Sequence, residues 1–122
     1  MSEDSKNLRI SLEGNNIAEK IEKMNFFTDR IAICKFAFAY ALKNFQEELI
    51  DLETLDKKYD SNGTNYNIGS IDADKTLSQL ITTLYPGCQT PYKYVRTVIC
   101  FGFEKLGELL EKKQSIHLSE LM

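Results

Sequence analysis

Residues Thr28 to Leu42 read TDRIAICKFAFAYAL. From Ile31 to Leu42 eleven of twelve residues are apolar, and only Lys35 interrupts them. A helix with one dry stripe shows apolar residues at every third or fourth position, whereas this segment is dry nearly all the way round. It is therefore expected to be buried on more than one side, with the rest of the chain arranged about it. Thr28 can cap its amino end, and Asp29 in the first turn complements the positive helix pole. Past Leu42 the pattern narrows to a stripe of Phe45, Leu49, Leu52 and Leu55, with Gln46, Glu47, Glu48, Asp51 and Glu53 between them. A helix continuous from Asp29 to about Leu55 would be roughly 40 Å long at about 1.5 Å per residue. Such a helix either projects from the domain or is covered by a partner.

Upstream, residues 1–5 read as a loose tail. Lys6 to Leu12 alternates, with Asn7, Arg9 and Ser11 on one face and Leu8, Ile10 and Leu12 on the other. A period of two predicts a half-buried strand. After Gly14, Asn15 or Asn16 can cap a short helix carrying Ile17, Ala18, Ile21 and Met24, which is expected to stop near Asn25.

Downstream, Asp56 to Ser70 (DKKYDSNGTNYNIGS) breaks the pattern and is expected to be a loop. Its Asn62-Gly63 pair favours a turn with positive φ. Loops this long in a compact domain are often functional or mobile, so a functional and a merely connecting role are both open here. Asp72 can cap a further helix with Leu77, Leu80, Ile81 and Leu84 on its dry face, ended by Tyr85-Pro86-Gly87. Thr90-Pro91 opens the last helix, since proline at the first helical position loses no hydrogen bond. Val95, Val98, Ile99, Gly102, Leu106, Leu109 and Leu110 lie along one side of it, and Gly102 marks a close approach by another helix. Gln114 to Met122 keeps some apolar residues, as a docked tail would. RIAIC at Arg30 to Cys34 is echoed by RTVIC at Arg96 to Cys100, a match too short to establish a duplication. The expected fold is mainly α: a short amino-terminal β-strand, then four helices, one long and buried at the centre, with the strand open to pairing in a dimer. A single domain is expected over residues 1–122, divided at 6–55, 56–70 and 71–122.

The net charge of −3 and pI near 5.2 argue against a broad basic surface and so disfavour DNA. Cys34, Cys88 and Cys100 are odd in number and form no CxxC pair, which suits free thiols in a reducing cytoplasm. The start MSEDSKN carries no signal core, and no run reaches membrane-spanning length. His117 has no Cys or carboxylate at ligand spacing and reads as a surface residue. GxSxG, HExxH and phosphate-loop motifs are missing, and a calcium-loop reading from Lys58 fails because Lys58 and Gly69 stand where carboxylates are needed. No catalytic residue, metal or cofactor is expected. Glu47, Glu48, Asp51 and Glu53 read as a solvated helix face. Tyr59, Tyr66, Tyr85, Tyr92 and Tyr94 gather near Lys93 and Arg96. Such a set can stack on nucleobases or line a protein interface, and with so few bases the interface comes first.

The order of alternating strand, short helix and longer buried helix over residues 6–45 resembles the ribbon-helix-helix family of DNA-binding dimers. The resemblance implies that two chains pair their strands, with Asn7, Arg9 and Ser11 facing bases in the major groove while Leu8, Ile10 and Leu12 pack on the helices. It would also explain the dryness of Ile31 to Leu42 by burial against a second subunit. Two features depart from the family: the turn MNFFTDR lacks a glycine, and Asp29 brings negative charge where that family anchors a phosphate.

LRISL followed by FFTDRIAICKFAFAYALK is also similar to small helical proteins accompanying bacterial DNA phosphorothioation (Dnd-type) modification and restriction systems. That resemblance implies an accessory role in an antiviral DNA-defence complex. The leading expectation is a cytoplasmic, non-catalytic, homo-oligomeric accessory subunit with protein partners, whose interfaces involve Ile10, Phe36, Phe38, Tyr40, Tyr92, Tyr94 and Arg96. A ribbon-helix-helix regulator is the alternative. A small enzyme built at an oligomer interface from Tyr92, Lys93, Arg96 and the acidic helix is a third, weaker reading.

Overall fold

The alternation around Leu8 produces β1 (Asn7–Arg9) in the computed structural model, which describes residues 4–112. Its ladder partner comes from the same chain: β2 (Asn65–Asn67) runs antiparallel to it, with Asn7 opposite Asn67, Leu8 opposite Tyr66 and Arg9 opposite Asn65. The strand thus lies inside the stretch expected to be a loop. Three residues that run straight into a helix at Ile68 are too few to show a period of two. Asn62-Gly63 is not among the positive-φ positions, which are Asn25, Lys75 and Gly87. Gly63 is required for a different reason: a Cβ there would stand 2.4 Å from the Ser11 carbonyl oxygen and 2.9 Å from that of Ile10. Its amide donates to the Ile10 carbonyl at 2.9 Å, extending the ribbon.

The fold is mainly helical. Around the ribbon lie α1 (Leu12–Glu22), α2 (Arg30–Asn44), α3 (Leu52–Asp56), α4 (Ile68–Ile71), α5 (Thr76–Leu84) and α6 (Pro91–Lys112), with a 3₁₀ turn at Gln46–Glu48. Against four expected helices, the two short ones α3 and α4 are additional among the described residues. The strand alternation stops at Ser11, whose hydroxyl accepts from the Gly14 amide at 3.0 Å and starts α1 earlier than an Asn15 or Asn16 cap would. Leu12, expected inside, is consequently 49% exposed.

Asp29, rather than Thr28, caps α2, accepting from the Ala32 amide at 2.8 Å. The helix does not continue to Leu55. Asn44 turns its side-chain amide back to the Tyr40 carbonyl, and Phe45 leaves helical geometry to pack on Phe101. After the 3₁₀ turn, Asp51 caps α3 through the Thr54 amide. These bends still bury Leu49 and Leu52, so the narrow stripe is apolar for the reason read from it, but across two turns instead of one helix.

The girdle of α2 is covered largely by this chain. Ile33, Cys34, Ala37, Phe38 and Ala41 are buried, while Phe36 and Tyr40 join a row of rings from Phe27 to Phe45 and Phe101. Lys35 and Ala39 are exposed. The longest helix is α6, with 22 residues, and it packs along α2 at Gly102, where a Cβ would lie 2.1 Å from the Ala37 carbonyl oxygen. Asp72 does serve α5, though from a distance. Its buried carboxylate accepts from the Leu77 and Ser78 amides after Lys75 turns the chain at φ 63°. Leu77 and Ile81 are buried, whereas Leu80 and Leu84 remain 40% and 45% exposed. The first turn of α6 is capped from far along the chain by Asp4, whose two oxygens accept from the Tyr92 and Lys93 amides at 2.9 and 3.0 Å. The tail Gln114 to Met122 and His117 lie outside the described residues. Among those described, no helix is long and apolar enough to cross a membrane.

Candidate interaction surfaces

The ribbon turns one face inward and one outward. Leu8 and Tyr66 point into the core, while Asn7, Arg9, Asn65 and Asn67 are exposed on the opposite side. Ser11 does not share that face: it is buried as the α1 cap. Asn67 also caps α4, accepting from the Gly69 amide at 2.7 Å. Asn65 and Asn67 are the members of this face that sequence reasoning missed; the only signal is that they flank Tyr66 as Asn7 and Arg9 flank Leu8.

Beside β1, a groove of about 370 Å³ is lined by Lys6, Arg9, Lys93, Arg96, Asp56 and Ser61 among others. Arg96 is its buried floor. The Arg96 Nε donates to the Arg9 carbonyl at 3.1 Å, Nη1 to Asp56 at 2.9 Å, and Nη2 to the Tyr59 and Asp60 carbonyls. All three nitrogens therefore tie α6 to β1, to the end of α3 and to the segment that follows it, a positional task that engages most of the side chain's donors. Asp60 is fixed just above, accepting from the Leu12 and Asn62 amides, and these bonds hold its carboxyl below the usual range. Tyr59 donates to Glu104 at 2.6 Å, and burial together with that carboxylate pushes its phenol upward.

A second groove, also about 370 Å³, lies between the end of α2 and the end of α5. Leu42, Gln46, Leu49, Ile50, Leu84 and Tyr85 line it. Ile50 is 77% exposed. Tyr85 closes the groove's base by donating to the Leu49 carbonyl. Glu47, Glu48, Asp51 and Glu53 are exposed close to Ile50 in the chain, on the 3₁₀ turn and the start of α3. The acidic residues read as one solvated helix face are thus spread over two elements, flanking Ile50 in the chain. Ile50 was hidden in the sequence by the assumption of a continuous helix.

The residues expected at interfaces divide accordingly. Ile10 and Phe38 are core residues at 0% and 1% exposure, because the strand's inner face and the α2 stripe carry them inside. Phe36 and Tyr40 are half-buried in the aromatic row, and Tyr92 and Tyr94 are half-buried in the first turns of α6. Arg96 is buried in its clasp. The structure does not gather Tyr92, Lys93, Arg96 and the acidic residues into one site: Lys93 and Arg96 line the groove beside β1, Asp51 and Glu53 line a separate hollow with Cys88 and Tyr94, and Glu47 and Glu48 lie on the 3₁₀ turn.

Cys34 is buried beside Tyr66, and burial pushes its thiol up to about 12. Cys100 is likewise raised by burial. No group of three or more His, Cys, Asp or Glu side chains among the described residues is placed to hold a metal ion. Compared with protein-family models, curated proteins and solved structures, the chain matches none.

Proposed function

We propose that this protein is a non-catalytic accessory subunit of a bacterial DNA-processing or defence assembly, acting in the cytoplasm through protein contacts. The observation that carries the reading is the groove between α2 and α5, where Ile50 and Leu84 stand exposed over an apolar floor with carboxylates nearby. Exposed apolar side chains beside charged ones mark contact surfaces, with the apolar part supplying affinity and the charges selecting the partner. The partner's matching segment is apolar with basic flanks, such as one face of an amphipathic helix.

The test is comparative co-purification of the tagged protein and its Ile50→Asp/Leu84→Asp variant from the native host, with bound proteins identified by mass spectrometry. A nuclease, DNA-modifying or helicase subunit retained by the parent and lost from a folded variant supports the reading. An identical set on both proteins refutes it.

The exposed row Asn7, Arg9, Asn65 and Asn67 favours a second reading, in which the ribbon contacts duplex DNA. Asparagine and arginine on a two-stranded ribbon suit the edges of adenine and guanine in the major groove. Titrating fluorescent duplex at two salt concentrations tests it, because phosphate contacts weaken steeply with salt.

A further inference from the structure

The groove beside β1 runs against the charge of the chain. Asp and Glu number 18 and Lys and Arg 15 overall, yet four bases, Lys6, Arg9, Lys93 and Arg96, line this groove against a single carboxylate, Asp56. Asp56 is paired with Arg96 at 2.9 Å, which leaves Lys6, Arg9 and Lys93 as the uncompensated charges. Among the described residues none of these three has a carboxylate at ion-pairing distance. Asp4 and Asp60, which adjoin the lining in the chain, are both turned to main-chain amides.

The fold's own anchors gather these cations. Asp4, held on the Tyr92 and Lys93 amides, brings the chain to the first turn of α6, and Lys6 follows two residues later. The bond from Arg96 Nε to the Arg9 carbonyl then fixes β1 against α6. Cations held together in one concave place repel one another, and an anion entering between them relieves that repulsion. The floor adds hydrogen-bond donors. Arg96 Nη1 has a second N–H beyond the one given to Asp56, and Ser61 Oγ, which accepts from Arg96 Nη2 at 3.3 Å, keeps its own proton to donate.

Shape and lining narrow the ligand. The groove measures about 370 Å³, against about 30 Å³ for one water, so it has room for more than one anionic group. No ring and no large apolar side chain lines it, so nothing there grips a base or an acyl chain. We infer that the groove beside β1 is a binding site for a compact polyanion of the pyrophosphate type, free or as the phosphate tail of a larger molecule. Lys6, Arg9 and Lys93 neutralise it, and Arg96 and Ser61 donate to it from the floor. Several charges and many acceptor oxygens in a small volume match lysine point charges beside an arginine fork. Bound there, the ligand joins β1 to α6. The site is separate from the apolar groove between α2 and α5 and needs no protein partner.

The test is calorimetric titration of the protein with sodium pyrophosphate at low salt, without divalent cations. One saturable site is expected, weakened by added salt. Lys6→Gln/Arg9→Gln is expected to lose about tenfold or more in affinity, and Lys93→Gln, tested separately, to weaken binding too. Lys20→Gln/Lys23→Gln removes the same charge from exposed positions at the end of α1 and is expected to bind as the parent does. Thermal melts without ligand establish that each variant is folded. No saturable heat with the parent, or equal losses in the two double variants, overturns the site. ATP is expected to match pyrophosphate, since no ring lines the groove; ATP binding tenfold more tightly supports the site and identifies a nucleotide as the source of the phosphates. Displacement of pyrophosphate by duplex DNA at lower phosphate concentration overturns the compact ligand in favour of a polymer.

Discussion

Asp56 Oδ1 lies 2.9 Å from Arg96 Nη1, and the same oxygen accepts the Thr97 hydroxyl at 2.6 Å. The arginine's side chain is 10% exposed and the aspartate's 18%, so neither is well solvated. Removing the carboxylate leaves a buried guanidinium with one neutralising partner fewer. Asp56→Ala is expected to destabilise the protein by about 2–4 kcal/mol, read as a lowered urea midpoint, with Asp56→Asn costing less because it still accepts from Thr97. An unchanged midpoint for Asp56→Ala would show that the arginine's backbone acceptors suffice.

Two glycines of α6 separate rigid from yielding contacts. At Gly102 an added methyl meets backbone, 2.1 Å from the Ala37 carbonyl oxygen. At Gly107 it meets the end of the Ile17 side chain, 2.5 Å away, which can change rotamer. Gly102→Ala is expected to cost about 3 kcal/mol or more through overpacking, and Gly107→Ala about 1 kcal/mol or less. Thermal melts of the two variants check the order, and equal losses would contradict the close approach of α2 and α6.

Asp60 gives the protein a dependence on acid. Amides of Leu12 and Asn62 stabilise its charged form, so its folded pKa lies below its unfolded one. Such a group contributes stability that is present above the unfolded value, near pH 4, and is lost as pH falls through the folded value. Asp51 and Asp74 are lowered through equivalent bonds to Thr54 and Thr76. Urea midpoints are expected to fall below about pH 4, and to fall less steeply in Asp60→Asn, which no longer titrates there.

Thiol labelling reports on the core. Cys34 and Cys100 are buried and raised, whereas Cys88 is half-exposed. Since the thiolate is the reactive form, native protein at pH 8 is expected to take up one alkyl group, at Cys88, and denatured protein three. Rapid native labelling of Cys34 would mean that the centre of α2 opens to solvent.

The sequence told helices apart from turns better than it told where helices end. Apolar spacing identified α2, α5 and α6 because a stripe repeated over many residues outweighs local noise. The stop at Asn44 was not legible, since it depends on a side-chain bond to Tyr40 and on Phe45 finding Phe101 far along the chain. Arg96 was singled out as an interface base, but its partners are mostly backbone carbonyls, which have no signature in sequence. The apolar groove was illegible for a related reason. Leu42, Ile50 and Leu84 come from three separated segments, and only the fold makes them neighbours.

Asp4 meets the first turn of α6 across 88 residues of chain, and β1 finds its ladder partner only when β2 has been made. Both contacts join early to late sequence, so the first half leaves the ribosome with Leu8 and Ile10 uncovered and no strand to pair with. Synthesis as far as Asn67 therefore precedes pairing of the ribbon, and until then the amino-terminal strand is an unpaired edge. A premature stop before Asn65 would yield a fragment prone to aggregate rather than a smaller working domain.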